Sequence, residues 1–118
     1  MTDFAVKLVL LKIKEYVSNG KRSFVERTYQ LKNGETKTYL DELLEIGLMN
    51  VSAAWSEVLS LKPKHYVEGP IIDRDNPSEK DVWIFKKKIN ENTVYIKLKV
   101  NEKRGTVCIS FHMDRPTT

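Results

Sequence analysis

The chain has little with which to cross-link itself or hold a metal. Its 118 residues include one cysteine, Cys108, and two histidines, His65 and His112. One cysteine makes no intrachain disulfide and no cysteine-based zinc site. That usage suits a reducing, cytoplasmic setting. No stretch is long and apolar enough to span a membrane as a helix. The opening "MTDFAVKLVLLKIKEYV" does not read as a signal peptide. Asp3 sits where a basic region belongs, lysines interrupt the apolar run, and no small-residue cleavage site follows. Internal repeats and low-complexity tracts are lacking. No motif asks for a cofactor or a metal, and none is expected.

What is present is one domain's worth of chain, residues 1–118. An apolar fraction of 41% is enough for one modest core, and a net charge of +4 favours an acidic partner. The charge is sorted along the chain. Residues 35–57 carry five acidic side chains against one lysine, and residues 86–104 carry seven basic against two acidic. Acid concentrates on the expected helices and base on the expected strands.

Helical spacing of Val6, Val9, Leu10, Ile13, Tyr16 and Val17 predicts a first helix, closed by Asn19-Gly20. Phe24, Val25, Thr28 and Tyr29 suggest an extended piece, and "KNGE" at 32–35 a turn. "TYLDELLEIGL" predicts a second helix with Leu40, Leu43, Leu44 and Leu48 on one face and Gly47 at its end. "NVSAAWSEVLSL" predicts a third, capped by Asn50 or Ser52, with a stripe of Val51, Ala54, Trp55, Val58 and Leu59. Residues 62–80 read as irregular. Three strands follow, "DVWIFKKKI", "TVYIKLKV" and "GTVCISFHM", joined closely enough for antiparallel hairpins. The fold class is α+β, with N-terminal helices on one face of a curved antiparallel sheet that ends in a three-stranded meander.

Alternation sets the faces of these strands. Val94, Ile96, Leu98 and Val100 point inward, as do Val107, Ile109 and Phe111. A turn at Lys103-Arg104 then sets Ile96 against Phe111, Leu98 against Ile109 and Val100 against Val107. On the other face Tyr95 meets His112, Lys97 meets Ser110 and Lys99 meets Cys108. A turn at Glu91-Asn92 sets Lys88 beside Tyr95, Lys86 beside Lys97 and Ile84 beside Lys99. One face therefore gathers Lys86, Lys88, Tyr95, Lys97, Lys99, Ser110 and His112.

Two readings of this face stand side by side. Lysine-rich strand faces keep sheets soluble and discourage edge pairing. Lysines with a tyrosine also suit a polyanion, since ammonium groups neutralise phosphates and a phenol stacks on a base or hydrogen-bonds a phosphate. Imidazole is the side chain suited to proton transfer near neutral pH. RNA carries its own nucleophile, the 2′-OH, so His112, Tyr95 and Lys97 suffice as a catalytic set. Lys86, Lys88, Lys99 and Ser110 would bind RNA, joined by Lys64 and His65 from the loop. His65 also reads as an ordinary loop histidine, Cys108 as a small filler, and Trp55 and Trp83 as core. Glu26, Arg27 and Tyr29 lie on an unassigned segment. Beside the enzyme stand a non-catalytic nucleic-acid-binding module and a domain that binds an acidic protein.

The run "LLEIGLMNVSAAWSEVLSLKPKHYVEGP", followed by "VWIFKKKI", "VYIKLKV" and "VCISFH", resembles the MqsR family of type II toxin–antitoxin toxins. That family belongs to the RelE-like mRNA interferases. The resemblance extends over roughly residues 7–113. It implies a RelE-like fold and a metal-independent endoribonuclease that cuts single-stranded messenger RNA, with or without a ribosome, and is neutralised by a cognate antitoxin. By position it maps the strand tyrosine to Tyr95, and Lys97 and Ser110 to matching places. The basic residue closing the last strand, often lysine in the family, is His112. Two positions depart from the pattern. Ile84 stands where members carry a glutamine after the strand tryptophan, and Glu68 lies nearest the family's loop lysine, with Lys64 and His65 close by.

Overall fold

The computed structural model of the protein describes residues 3–115. Helix α1 (Asp3–Ser18) buries Val6, Val9, Leu10, Ile13 and Val17, the stripe its spacing predicts. Short strands β1 (Arg22–Phe24), β2 (Thr28–Gln30) and β3 (Thr36–Thr38) follow, with the predicted turn between β2 and β3. Helix α2 (Tyr39–Ile46) opens on a capping box. The Thr38 hydroxyl accepts from the Asp41 amide at 3.2 Å, and the Asp41 carboxylate accepts from the Thr38 amide at 2.9 Å. It ends at Gly47, whose φ of 89° is left-handed. Helix α3 (Val51–Leu59) is capped by Asn50.

The face of α2 differs from expectation. Leu43 and Ile46 enter the core, whereas Leu40 and Leu44 face outward. Val58 of α3 is buried, but Leu59 lies at the surface.

Residues 62–80 are more regular than their composition suggests. A 3₁₀ turn (Pro63–His65) leads into strand β4 (Tyr66–Ile71), and a loop over 72–81 then precedes β5 (Val82–Ile89). Gly69, Pro70 and two register shifts against β5 hid this strand from a periodicity search. Strands β6 (Asn92–Asn101) and β7 (Gly105–Met113) complete the sheet. Its order is β1-β7-β6-β5-β4.

The class is α+β, with the helices against one face of the sheet. The sheet is mixed rather than antiparallel, because β1 runs parallel to β7. Gly105 permits that pairing. The Thr106 amide donates to the Lys21 carbonyl at 3.1 Å, and a Cβ on Gly105 would overlap that carbonyl oxygen. Gly105 also has a φ of 75°. Gly105→Ala should therefore cost about 3 kcal/mol. Gly34→Ala shares a positive φ but meets nothing within 4 Å, so it should cost about 1 kcal/mol. Urea unfolding of the two variants checks the difference.

Both hairpins depart from the expected register. The β5–β6 turn is Asn90-Glu91, both at positive φ, as a tight two-residue hairpin requires. The shift is two residues, so the faces are unchanged. Lys86, not Lys88, lies opposite Tyr95, and Ile84 lies opposite Lys97. Between β6 and β7 the pairs Tyr95–His112, Ile96–Phe111 and Lys97–Ser110 form as expected. A bulge at Ile109 then changes the parity, and Leu98 pairs with Cys108. Cys108 consequently fills the core beside Leu98, where its thiol is held well above the usual value by burial. Val107 and Ile109, both expected in the core, lie outside it at the cleft on the opposite face, and Ile109 loses its expected pairing with Leu98.

That opposite face is itself partly covered. Val82, Ile84 and Val107 are buried yet lie outside the main core cluster. Val82 pairs with Ile71 on one side and Lys99 on the other. The loop over 72–81 roofs this end of the sheet through the contacts of Lys99 described below.

Candidate active site

Cross-strand partners share a face, so rows of side chains can be read directly from register. One row on the face away from the helices is Glu68, Ile84, Lys97 and Ser110, from β4, β5, β6 and β7. The next row is Lys86, Tyr95 and His112. Val94, Ile96 and Leu98 go into the core, so Tyr95 and Lys97 must point the other way.

The Tyr95 and His112 rings are stacked, with centroids 5.3 Å apart and planes inclined by 14°. His112 Nδ1 lies 2.8 Å from the Met113 carbonyl oxygen. A carbonyl only accepts, so Nδ1 carries a hydrogen and donates it. In the neutral ring the lone pair is then on Nε2. Burial pushes the Tyr95 phenol above its ordinary value; Glu68 and Asp114 add to the rise, while Arg74 and Lys86 oppose it. Tyr95 therefore keeps its proton through the neutral range and serves as a donor. Lys97 is half-buried and makes no ion pair among the described residues. Lys86 lies 3.1 Å from Asp114 in a part-exposed pair, a contact weak enough to exchange for phosphate. Lys88 is exposed beside Thr93, one row beyond Tyr95.

Lys99 does not belong with these cations. Its side chain is only 3% exposed, and its ammonium sits among Asp73 at 2.6 Å, Asp81 at 3.1 Å and Glu79. Burial alone would lower its pKa, yet hydrogen bonds from the ammonium to Asp73, Glu79 and Asp81 outweigh that and raise it. The three carboxylates have the grouping of a cation site. The cation they hold here is the Lys99 ammonium. Lys99 is thus removed from the set expected to bind RNA, because its charge is consumed in tying the 72–81 loop to β6.

Lys64 and His65 also lie elsewhere. His65 Nδ1 accepts the Lys62 amide at 2.9 Å and so caps the 3₁₀ turn. Burial, then the nearby Lys87, Lys64 and Lys62, lowers its imidazole pKa. Lys87 reaches Glu57 of α3 at 2.8 Å, which places this group on the helix side of the sheet. Tyr66, the next residue, packs its ring against Trp83 and Phe85 of the core.

A cleft of about 880 Å³ opens beside the two rows. Tyr95, Lys97 and Ser110 border it together with Arg27, Arg74, Lys80, Lys103 and Arg104. Asp73, Asp75, Glu79 and Asp81 also line it, but the basic residues outnumber them and three of the four acids are turned to Lys99. A smaller pocket of about 90 Å³ shares Arg27, Ile109 and Ser110 with the cleft and continues to His112 and Arg115. The arginines were not foreseen. Arg27 lay on an unassigned segment, and Arg74 and Arg104 lie in loops. The only sequence signal for them is adjacency, since "DRD" and "KRG" flank the basic strands.

Glu68 opposes the charge of this surface. It acts on Tyr95 from the neighbouring row and would repel a phosphate there. Glu68→Gln should tighten RNA binding about threefold at low salt. It should also let the Tyr95 phenol titrate closer to its ordinary value. Fluorescence anisotropy with labelled RNA and ultraviolet pH titration read the two effects.

No known protein family, curated protein or solved structure matches this chain.

Proposed function

We propose that the protein is a metal-independent endoribonuclease that cuts single-stranded messenger RNA in the cytoplasm. It would act as a RelE-like mRNA interferase toxin restrained by a cognate antitoxin. The observation that carries this reading is the stacked Tyr95–His112 pair, set beside Lys97 at the edge of a cationic cleft. A proton acceptor, a proton donor and a fixed positive charge are the groups that transesterification of RNA needs.

The steps balance without another reagent. His112 Nε2 takes the proton of the 2′-OH as the 2′-oxygen attacks phosphorus. The bond from phosphorus to the 5′-oxygen breaks, and Tyr95 delivers a proton to that oxygen. The imidazolium then returns its proton through solvent to the phenolate. Lys97 stabilises the charge that builds on the phosphoryl oxygens. The products are a 2′,3′-cyclic phosphate and a 5′-hydroxyl. Arg27, Arg74, Lys86 and Lys88 hold neighbouring phosphates.

The test is cleavage of a long single-stranded RNA in EDTA, with and without ribosomes, followed by analysis of the new 3′ ends. Cyclic phosphate ends support the mechanism; cleavage that leaves 5′-phosphates would replace it with another. Ile84 favours one second reading, a binding module without cleavage. Its apolar side chain sits between Glu68 and Lys97, where the resemblance expects a hydrogen-bonding glutamine. RNA binding with no cleavage under either condition selects that reading.

A further inference from the structure

Helix α1 is apolar on more than its core side. Phe4, Leu8 and Leu11 follow one another at helical spacing on its outer face, and Leu11 is 65% exposed. Apolar residues in such a row are uncommon on a surface that meets only water. Beside this ridge runs a groove of about 320 Å³ between α1 and the chain that enters the 3₁₀ turn. Leu10, Leu11, Leu61 and Pro63 form its floor, and Lys7, Lys14 and Lys62 its rim. Among the described residues no acidic side chain lines it.

We infer that this groove is a docking site for an acidic amphipathic segment of a protein partner. Apolar side chains of the partner fill the floor, and its carboxylates meet the three lysines. Charge decides among the possible occupants. A second copy of the protein, joined α1 to α1, would set two helices of like net charge together, since Lys7, Lys12 and Lys14 outnumber Asp3 and Glu15 on each. An anionic bilayer laid on the ridge would also meet the opposite flank of α1, where Lys12 and Lys80 are balanced by Asp81 and Glu102 and offer no net attraction. A narrow acidic segment seated between α1 and the 3₁₀ turn meets Lys7, Lys14 and Lys62, and the exposed pair of Lys7 with Asp3 at 3.1 Å is weak enough to exchange for its carboxylates. The groove is on the helix side of the sheet, away from Tyr95 and His112. A partner bound there leaves the RNA cleft uncovered, so this proposal stands apart from the catalytic one.

The experiment uses the full chain and a labelled synthetic helix with leucines at helical spacing and glutamates elsewhere. A scrambled peptide of identical composition serves as control. The helix should bind more tightly than the scramble, and added salt should weaken it. Leu11→Glu and Lys14→Glu should each weaken it at least about tenfold. Leu11 is exposed, so its replacement leaves the fold intact, and unchanged circular dichroism and melting temperature of the variants confirm this. Saturating RNA should not displace the helix. Equal binding of the scramble, no binding, or insensitivity to both substitutions overturns the proposal. So does displacement by RNA, which would place the peptide in the cleft. Sedimentation showing a dimer lost in Leu11→Glu assigns the face to a second copy. Flotation with phosphatidylserine vesicles, lost in the same variant, assigns it to a membrane.

Discussion

Lys99→Met should destabilise the protein by about 3 kcal/mol, which lowers the melting temperature by roughly 10 °C in a chain of this size. The side chain is almost wholly enclosed, so methionine fills much of its volume. The loss is electrostatic. Asp73, Glu79 and Asp81 converge on one ammonium, and without it three carboxylates face one another with no ion-pair partner among the described residues. The pH dependence carries the diagnosis. In the native protein the hydrogen bond from Lys99 holds the Asp73 carboxyl below its usual value. A depressed carboxyl contributes stability that is present above the ordinary carboxylate range and is lost as pH falls through the depressed value. The native protein should therefore weaken on acidification. In Lys99→Met the repelling carboxylates are raised instead, so stability should increase as pH falls toward their range. Melting curves at several pH values compare the slopes. Parallel slopes in the two proteins would show that Lys99 acts by packing alone. Adding Asp73→Asn should restore part of the loss at neutral pH.

The second large effect is on turnover. His112→Ala should lower the RNA cleavage rate by about 10²–10⁴-fold while changing RNA affinity by less than about threefold. In the proposed mechanism the imidazole contributes one proton acceptor, Nε2, and it lies in the small pocket beside the cleft and not among the cations that line it. Lys97→Ala should differ in kind. It removes a cation that, in the proposed mechanism, faces phosphate in both the ground and transition states, so affinity and rate should both fall. The slope of log affinity against log salt should drop by about one unit. Single-turnover cleavage at saturating protein separates the rate from binding. Equal losses of both in His112→Ala would reassign His112 to substrate positioning. Because Tyr95 stacks on His112, Tyr95→Phe is the cleaner probe of the phenol, for it keeps the ring of the stack and removes only the hydroxyl.

Several features of this arrangement are determined by the sequence alone, for local reasons. Helix α1 follows from its spacing, and α2 and α3 from caps whose partners lie three residues away. The alternation in "TVYIKLKV" puts Tyr95 and Lys97 on one face. The same parity pairs them with His112 and Ser110, because the chain near the end of β7 alternates without interruption. These are properties of short periodicities and turns, and a sequence displays them directly.

Tertiary structure decided the rest wherever both faces of a segment are covered. Alternation reveals a face only when the other side meets water. Near Val82, Lys99 and Val107 the 72–81 loop roofs the sheet, so apolar residues are stable on either side. A bulge at Ile109 then costs burial only at Ile109 itself, which is half-buried at the cleft, while Cys108 moves inward and Val107 stays buried on the outer face. Lys99 reads in the sequence as one more strand lysine. Its partners come from a loop 18 to 26 residues earlier in the chain, and only folding of that loop turns a surface charge into a buried one. Arg27 and Arg74 join Tyr95 at the cleft for the same reason. Their positions are set by where loops close in space, and no local spacing records that.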